Sequence, residues 1–480
     1  VADWYNPIIQ HGEVDFRDER RDHTHGRIWR ITAKGSPLVE KPKLAGASVA
    51  ELLEFLKAPE AWTRTQAKLL LKSKGADAVE RPLKRWARSL DESDPSIDAY
   101  RLEALWVFSS LMKPDVEIID QLLGSSDFHA RAAAVRVLEE HPERIDGIYD
   151  FLERALADEH PRVQLEALHG LRALGGVRAA RLASSIYSDS LDQTIEFALW
   201  TTLKTLAPDW QLAAVANPRL FGSDTRTLLF AIRCVNQTDA LKPLIALWRS
   251  GEIEEKAASE ALALLGELDD AAIVNNVFRE TLGRAERSLP GVLKILKSLE
   301  NSATKRKVFP EVSARDIETL LDSGDAESRI AIARLAGAWK VRDVTPLLEA
   351  LVQDPDTDAE LSIAAVEGLV ALGTSESKEA LVRLGGAHQP FATRLRAAAG
   401  FAQAAPNAAI SMVVAALSDA GPKNDARPLI RPYISNARLS DSLAKGLSGA
   451  TIDAEVATVA LRLFGSVTVN TKSLQTAMQK

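Results

Sequence analysis

The feature that most constrains this chain is a recurring segment that closes on Leu-Gly. Residues 158–175 read Asp-Glu-His-Pro-Arg-Val-Gln-Leu-Glu-Ala-Leu-His-Gly-Leu-Arg-Ala-Leu-Gly, and residues 356–373 read Asp-Thr-Asp-Ala-Glu-Leu-Ser-Ile-Ala-Ala-Val-Glu-Gly-Leu-Val-Ala-Leu-Gly. Gly175 and Gly373 stand 198 residues apart, with helix-ending signals near Ala207, Gln237, Gly266, Glu300 and Gly337 between them. The six intervals average about 33 residues, the length of a two-helix solenoid unit. Units of that kind stack along one direction, so the 480 residues need no division into separate cores.

The apolar spacing predicts helix pairs from Ser48 onward, with Ser48 itself as the first N-cap. Expected helices include 61–74, 76–90, 97–111, 116–123, 129–140, 145–156, 162–174, 180–187 and 193–206. Later ones include 242–249, 254–265, 328–338, 359–372 and 393–404. Beyond Pro406 the pattern grows irregular, with a loop at Gly421-Pro-Lys-Asn-Asp425. Many second helices open alike: Asp127 precedes Arg131, Asp158 precedes Arg162, and Asp325 precedes Arg329, each by four residues. The aspartate satisfies first-turn N–H groups. The arginine is expected to reach the neighbouring unit's aspartate, giving a structural ladder of paired charges. The functional alternative is a concave face that grips an acidic or phosphorylated partner. Small residues such as Ala132, Ala134, Ala167, Ala331 and Ala364 allow close packing. This pattern of aspartate, arginine, alanine and leucine resembles HEAT repeats. Armadillo units lack their third helix here, and tetratricopeptide units lack their aromatic spacing.

Composition narrows the functional classes. Net charge is −7 with both signs well mixed, and counterion-release binding needs a concentrated basic face, so nucleic acid is excluded as the main partner. No run approaches the roughly 18–20 apolar residues of a membrane span. The lone thiol, Cys234, sits at helical spacing with Leu228 and Ala231 and reads as packed rather than nucleophilic. Histidines 129, 141, 160, 169 and 388 are scattered singly, with His141 and His160 placed in loops by the prolines that follow them. No zinc spacing, nucleophile elbow, P-loop or dinucleotide fingerprint appears. The tryptophans of the helical region read as packing residues.

Residues 1–43 differ in kind. Arg27-Ile-Trp-Arg-Ile-Thr-Ala-Lys34 alternates and predicts a strand, ended by Gly35-Ser-Pro37. Asp22, His23 and His25 are metal-ligand candidates, since the spacing places two imidazoles on one side of a strand; a solvated turn is the plainer reading. Trp4-Tyr5-Asn6-Pro7 followed by Arg21-Asp22-His23-Thr24-His25-Gly26-Arg27-Ile28-Trp29-Arg30 resembles the end of the dehydrogenase-like β-propeller in large haem-binding proteins of planctomycetes and verrucomicrobia. That family places a sugar-dehydrogenase-like propeller before HEAT repeats and a c-type cytochrome after them. The resemblance implies an electron-transfer parent, a c-type haem in it, and a periplasmic or otherwise extracytoplasmic location. It makes Trp4, Tyr5, Asn6, Arg27 and Trp29 the joint to the propeller. This chain lacks most of a propeller and any Cys-x-x-Cys-His, and one cysteine cannot make two thioether links. The chain itself is therefore expected to hold no cofactor and no catalytic residue.

The resulting expectation is an all-α fold, a HEAT-like α-α superhelical solenoid over 44–480, with a short β-rich N-terminal segment over 1–43 that ends a propeller blade and its linker. Val1 in place of Met and the uncapped helix at Thr471–Lys480 read as cut ends of something longer. The function expected is a non-catalytic scaffold that links or docks modules of an oxidoreductase, with neighbouring domains or a protein as partners. A free-standing module that binds a protein or a polysaccharide is the alternative. A glycosylase or bilin lyase built on the same repeats would need a deep pocket around a lone carboxylate.

Overall fold

The computed structural model describes residues 2–4, 18, 19, 22, 24–35, 37, 40–235, 237–466 and 469–479. Two compact units divide the chain, Val1–Gly170 and Leu171–Lys480, with the division inside a helix.

The first unit opens on β1 (Ala2–Trp4) and β2 (Gly26–Ile28), which pair antiparallel with Ala2 opposite Ile28, Asp3 opposite Arg27 and Trp4 opposite Gly26. The strand is shorter than residues 27–34. Among the described residues its strand partner is three residues long, and Trp29 to Lys34 continue outside that ladder and are exposed. Helices then follow in pairs: α1 (Val49–Glu54) with α2 (Ala61–Lys74), α3 (Ala76–Arg88) with α4 (Ile97–Ser110), α5 (Val116–Leu123) with α6 (Phe128–Glu140), and α7 (Ile148–Leu156) with α8 (Pro161–Leu174). Ser48 starts α1 with a capping box: its hydroxyl accepts the Glu51 N–H, and the Glu51 carboxylate accepts the Ser48 N–H at 2.8 Å. Asp115 and Asp127 cap α5 and α6 through their carboxylates. First helices pack on first helices (α1 on α3) and second on second (α2 on α4, α4 on α6), the layering of a solenoid.

The second unit continues the pattern. Its first helices are α9 (Gly176–Ser184), α11 (Ala207–Ala216), α13 (Lys242–Arg249), α15 (Ala271–Glu286), α17 (Ala314–Ser323), α19 (Thr345–Gln353), α21 (Ser375–Leu384), α23 (Ile410–Asp419), α25 (Ala437–Gly446) and α27 (Lys472–Met478). Their partners are α10 (Gln193–Thr205), α12 (Thr225–Val235), α14 (Glu255–Gly266), α16 (Val292–Asn301), α18 (Ala326–Ala338), α20 (Ala359–Leu372), α22 (Phe391–Ala404), the four-residue α24 (Arg427–Ile430) and α26 (Ala454–Leu461). Aspartates 192, 325, 358 and 453 cap second helices. Gly373 ends α20 in the left-handed region at φ 66°, which a side chain would resist. The fold is an all-α, HEAT-like solenoid.

The core is aliphatic, as few aromatics require. Leu105, Val135, Leu168, Leu262, Leu335 and Leu369 are fully or almost fully buried, each contributing on the order of 1.5–3 kcal/mol. The alanines at 132, 134, 167, 331 and 364 are buried as well. Trp210 is buried and donates its indole N–H to the Leu203 carbonyl at 2.8 Å. Trp62 departs from the packing role: it is 60% exposed, because the buried stripe of α2 runs through Thr63, Ala67 and Leu71, one residue around the helix. Helix α18 meets α20 at Gly337 and Gly368. A Cβ on Gly337 would lie 2.1 Å from the Gly368 carbonyl oxygen, so the two backbones are in contact.

Candidate functional site

The charge ladder forms one of its expected rungs. Arg131 on α6 donates from Nε and Nη2 to the Asp158 carboxylate at 2.7 and 2.9 Å, and from Nη1 to the Ser125 carbonyl at 2.9 Å. Burial raises the Asp158 carboxyl, but the Arg131 and His160 hydrogen bonds outweigh it and hold the group below the usual aspartate value. Arg162 does not continue the ladder: it pairs with Glu166 one turn along its own helix at 2.7 Å. Arg329 makes no ion pair among the described residues, and Asp325 serves only as the cap of α18, accepting the Ser328 N–H at 2.7 Å. A rung the aspartate pattern does not reveal joins α2 to α4. There Arg64 Nε reaches Glu103 at 2.8 Å while its Nη1 holds the Ala58 and Pro59 carbonyls. Its acceptor is a mid-helix glutamate, which no cap rule would single out.

At the N-terminus, strand pairing brings together the two halves of the propeller-like motif. Trp4 lies opposite Gly26, and the Arg27 guanidinium stands 5.4 Å from the Trp29 ring centre. Ile28, Trp29 and Ile31 are exposed at 89%, 52% and 82%. Tyr5 and Asn6 lie outside the described residues, as does His23. The two remaining metal candidates form a turn. Asp22 Oδ1 accepts the Thr24 N–H and hydroxyl and the His25 N–H, and Oδ2 lies 2.8 Å from His25 Nδ1. These bonds, the Thr24 N–H first, hold the Asp22 carboxyl well below the usual range. Both oxygens are thereby engaged within the turn, which accounts for the residues without an ion.

Two clusters unite residues far apart in sequence. Glu139, Glu166 and His169 place one ligand atom each within 4.8 Å of one another on α6 and α8. Their carboxylate charge is already answered, since Glu166 Oε1 accepts from Arg136 at 2.6 Å and Arg162 at 2.7 Å, and two guanidiniums oppose a cation there. Ser109 Oγ lies 2.9 Å from His141 Nε2, the spacing of a nucleophile and base. Both groups are buried, the hydroxyl is donated to Glu140 at 2.8 Å, and His141 Nδ1 has no partner among the described residues to orient it. His141 lies in a loop as expected, buried at the C-terminal cap of α6, and His160, also outside the helices, stacks on Phe128 at 3.6 Å. Cys234 is buried on α12, donates to the Phe230 carbonyl, and has its thiol pushed up to about 12 by burial, far from a thiolate nucleophile at neutral pH.

A concavity lies in the second unit, a groove of about 1130 Å³ running from α20 across α22 and α24 to Leu463 after α26. It exists because α24 is four residues long where α20 and α22 each have fourteen, leaving the flank of α22 uncovered. The short segment is anchored from behind by buried Leu429, Ile430 and Tyr433, whose hydroxyl donates to the Pro406 carbonyl at 2.7 Å. Proline and loop signals in the sequence mark this irregularity; the groove itself follows only from the stacking.

Residues 316–402 match the family model for HEAT repeats. No curated protein matches the chain. Among solved structures, a homology model of the full-length AP-3 complex in an intermediate open conformation is similar at 11% identity and a TM-score of 0.41, over 91% of this chain and 92% of that one. Kap121p bound to RanGTP is similar at 11% identity and a TM-score of 0.32, over 90% of this chain and 51% of that one, so this chain spans about half of Kap121p. No helix among the described residues is long and apolar enough to cross a membrane.

Proposed function

We propose that this chain is a non-catalytic scaffold that holds modules of an extracytoplasmic oxidoreductase, of the haem-binding, dehydrogenase-like propeller type, at fixed separation. The observation that carries the reading is the β1–β2 ribbon with its apolar flank of Ile28, Trp29 and Ile31. A two-stranded ribbon is marginal in water by itself, and an exposed edge with large apolar side chains seeks another sheet. The outermost strand of a propeller blade is such a sheet, and the motif around Trp4 and Gly26–Arg30 resembles a blade end. A solenoid suits a connecting task because each repeat touches only its neighbours, so the array can be lengthened without a new core. A second reading, a free-standing binding module, draws on the α20–α26 groove.

The scaffold reading is tested by assaying the isolated chain with a panel of sugars and alcohols and an electron-accepting dye. No turnover above the dye control is the expected outcome. Sustained turnover would overturn the reading and return attention to Ser109, His141 and the α6–α8 carboxylates.

A further inference from the structure

We propose that the groove between α20 and α26 is a docking site for an extended acidic segment of a protein partner, one that alternates carboxylates with apolar side chains. The proposal deepens the scaffold reading and rests on it, by naming what the helical region grips away from the N-terminal joint.

The floor of the groove is largely apolar. Val366, Val370, Ala399 and Leu439 present apolar surface, and Gly400 keeps α22 close to α20, where a Cβ would meet Val366 Cγ1 at 2.3 Å. Apolar surface of this kind takes aliphatic side chains. Charge then sets the sign of the occupant. Both groove carboxylates are already answered: Asp425 accepts from Arg427 at 2.7 and 2.8 Å, and Glu367 accepts from Arg334 at 2.6 Å. Two groove guanidiniums are not. Arg431 is exposed and makes no hydrogen bond or ion pair among the described residues, and Arg396 bonds only the Ser362 hydroxyl, at 3.0 Å. The groove therefore offers two guanidiniums that are not hydrogen-bonded to a carboxylate, Arg396 and Arg431. Arg431 shares the field of Asp425, but that carboxylate is already held by Arg427, so both keep the fork geometry that takes a carboxylate through paired hydrogen bonds.

Length selects a polymer over a small anion. Adjacent packed helices stand about 8–10 Å apart, so three steps from α20 to α26 cover about 24–30 Å. That is the reach of about eight extended residues at roughly 3.3 Å each. The volume of about 1130 Å³ also exceeds the range of about 300–1,000 Å³ typical of small-molecule pockets. The short α24 segment supplies the lip: positions 427, 428, 431, 432 and 435 recur on one side of the 427–435 stretch and line the groove, while Leu429, Ile430 and Tyr433 face the core.

The test is fluorescence anisotropy on the full chain with two labelled synthetic peptides, one alternating Glu and Leu, the other Lys and Leu, with dodecanoate as a competitor. Saturable binding of the Glu/Leu peptide, weakened by salt, and none of the Lys/Leu peptide is expected. Arg431→Glu should lose at least about tenfold in affinity, and Arg431→Gln and Arg396→Gln a smaller part of that. Arg431 is solvent-exposed, so an unchanged melting curve separates lost binding from lost fold. Lys445→Glu, on first-layer helix α25, should bind as the parent does. Equal binding of both peptides, or unchanged affinity in a folded Arg431→Glu variant, overturns the proposal. Dodecanoate that binds stoichiometrically where the peptide does not also overturns it, in favour of a small amphiphile. Failure here leaves the turnover assay unaffected, so the two readings fail separately.

Discussion

The α4–α6–α8 stack and the α18–α20–α22 stack perform the same task, second helix against second helix, by different physics. In the first, partly buried ion pairs bridge the seam. Arg131 and Asp158 are only 10% and 12% exposed, and Arg136 and Arg162 share the buried Glu166 carboxylate. In the second, the seam is glycine on glycine, with Gly337 against Gly368 and Gly400 against Val366, and its ion pair, Arg334–Glu367, lies out in solvent at 46% and 48% exposure. A polar seam tolerates a gap that long side chains span, whereas a glycine seam gains dispersion over a long contact and tolerates no extra atom.

The largest effect that would break this comparison is steric. Gly368→Ala places a Cβ 2.4 Å from the Ala333 carbonyl oxygen, a backbone atom with nowhere to move. We expect a loss of about 3 kcal/mol, read from denaturant unfolding. Gly170→Ala offers a contrast in the first unit, at the contact of α8 with α7 rather than at a seam between second helices. There the Cβ meets only the end of Leu152 at 2.9 Å, and the gain in helix propensity of about 1 kcal/mol should nearly cancel the crowding. Equal losses for the two variants would show that the backbone contact at Gly368 is no less forgiving than a contact with the end of a side chain.

Next in size is Arg131→Met. It strands Asp158 in a mostly buried position and leaves the Ser125 carbonyl without its donor, and should cost about 2–3 kcal/mol by the same measurement. A smaller effect follows from pH. The Asp158 carboxyl is depressed in the folded state, so its contribution is complete above the ordinary aspartate value of 3.8 and is lost as pH falls through the lower folded value. Stability of the parent should therefore fall in acid more steeply than that of Arg131→Met, and parallel acid profiles would count against the rung. The smallest effect belongs to Arg88→Ala. Its partner Glu117 is 48% exposed and Arg88 itself 66% exposed, so the thermal unfolding curve should overlay that of the parent.

Helices with a cap at one end and a clean apolar stripe were legible to the residue: 61–74, 116–123, 242–249 and 359–372 match the expected bounds. The regions passed over have physical reasons. Helix α11 is apolar nearly all round and starts beside Pro208, so its periodicity is blurred. Helix α9 begins at Gly176, directly after Gly175, where two glycines read as a break, and its bounds fall about four residues before 180–187. The strand at 27–34 carried the right alternation, and among the described residues its ladder ends at Ile28. The Arg131–Asp158 rung was readable because a cap aspartate recurs at the repeat period. The Arg64–Glu103 rung and the Glu139–Glu166–His169 cluster were not, since they depend on which side of a helix meets the next one. The groove is a further step removed: Pro428, Pro432 and the 421–425 loop announce irregularity, but a shortened helix becomes a groove only when its neighbours are full length.

The account's central claim is that this chain is the connecting scaffold of a larger electron-transfer protein. The most direct measurement is the intact mass and visible spectrum of the polypeptide captured from its native cells with an antibody to this chain. A mass well above 52.2 kDa together with the absorption of a reduced c-type haem is the expected result. A 52.2 kDa polypeptide without haem would contradict the scaffold of an oxidoreductase, and with it the assignment of the α20–α26 groove to that parent.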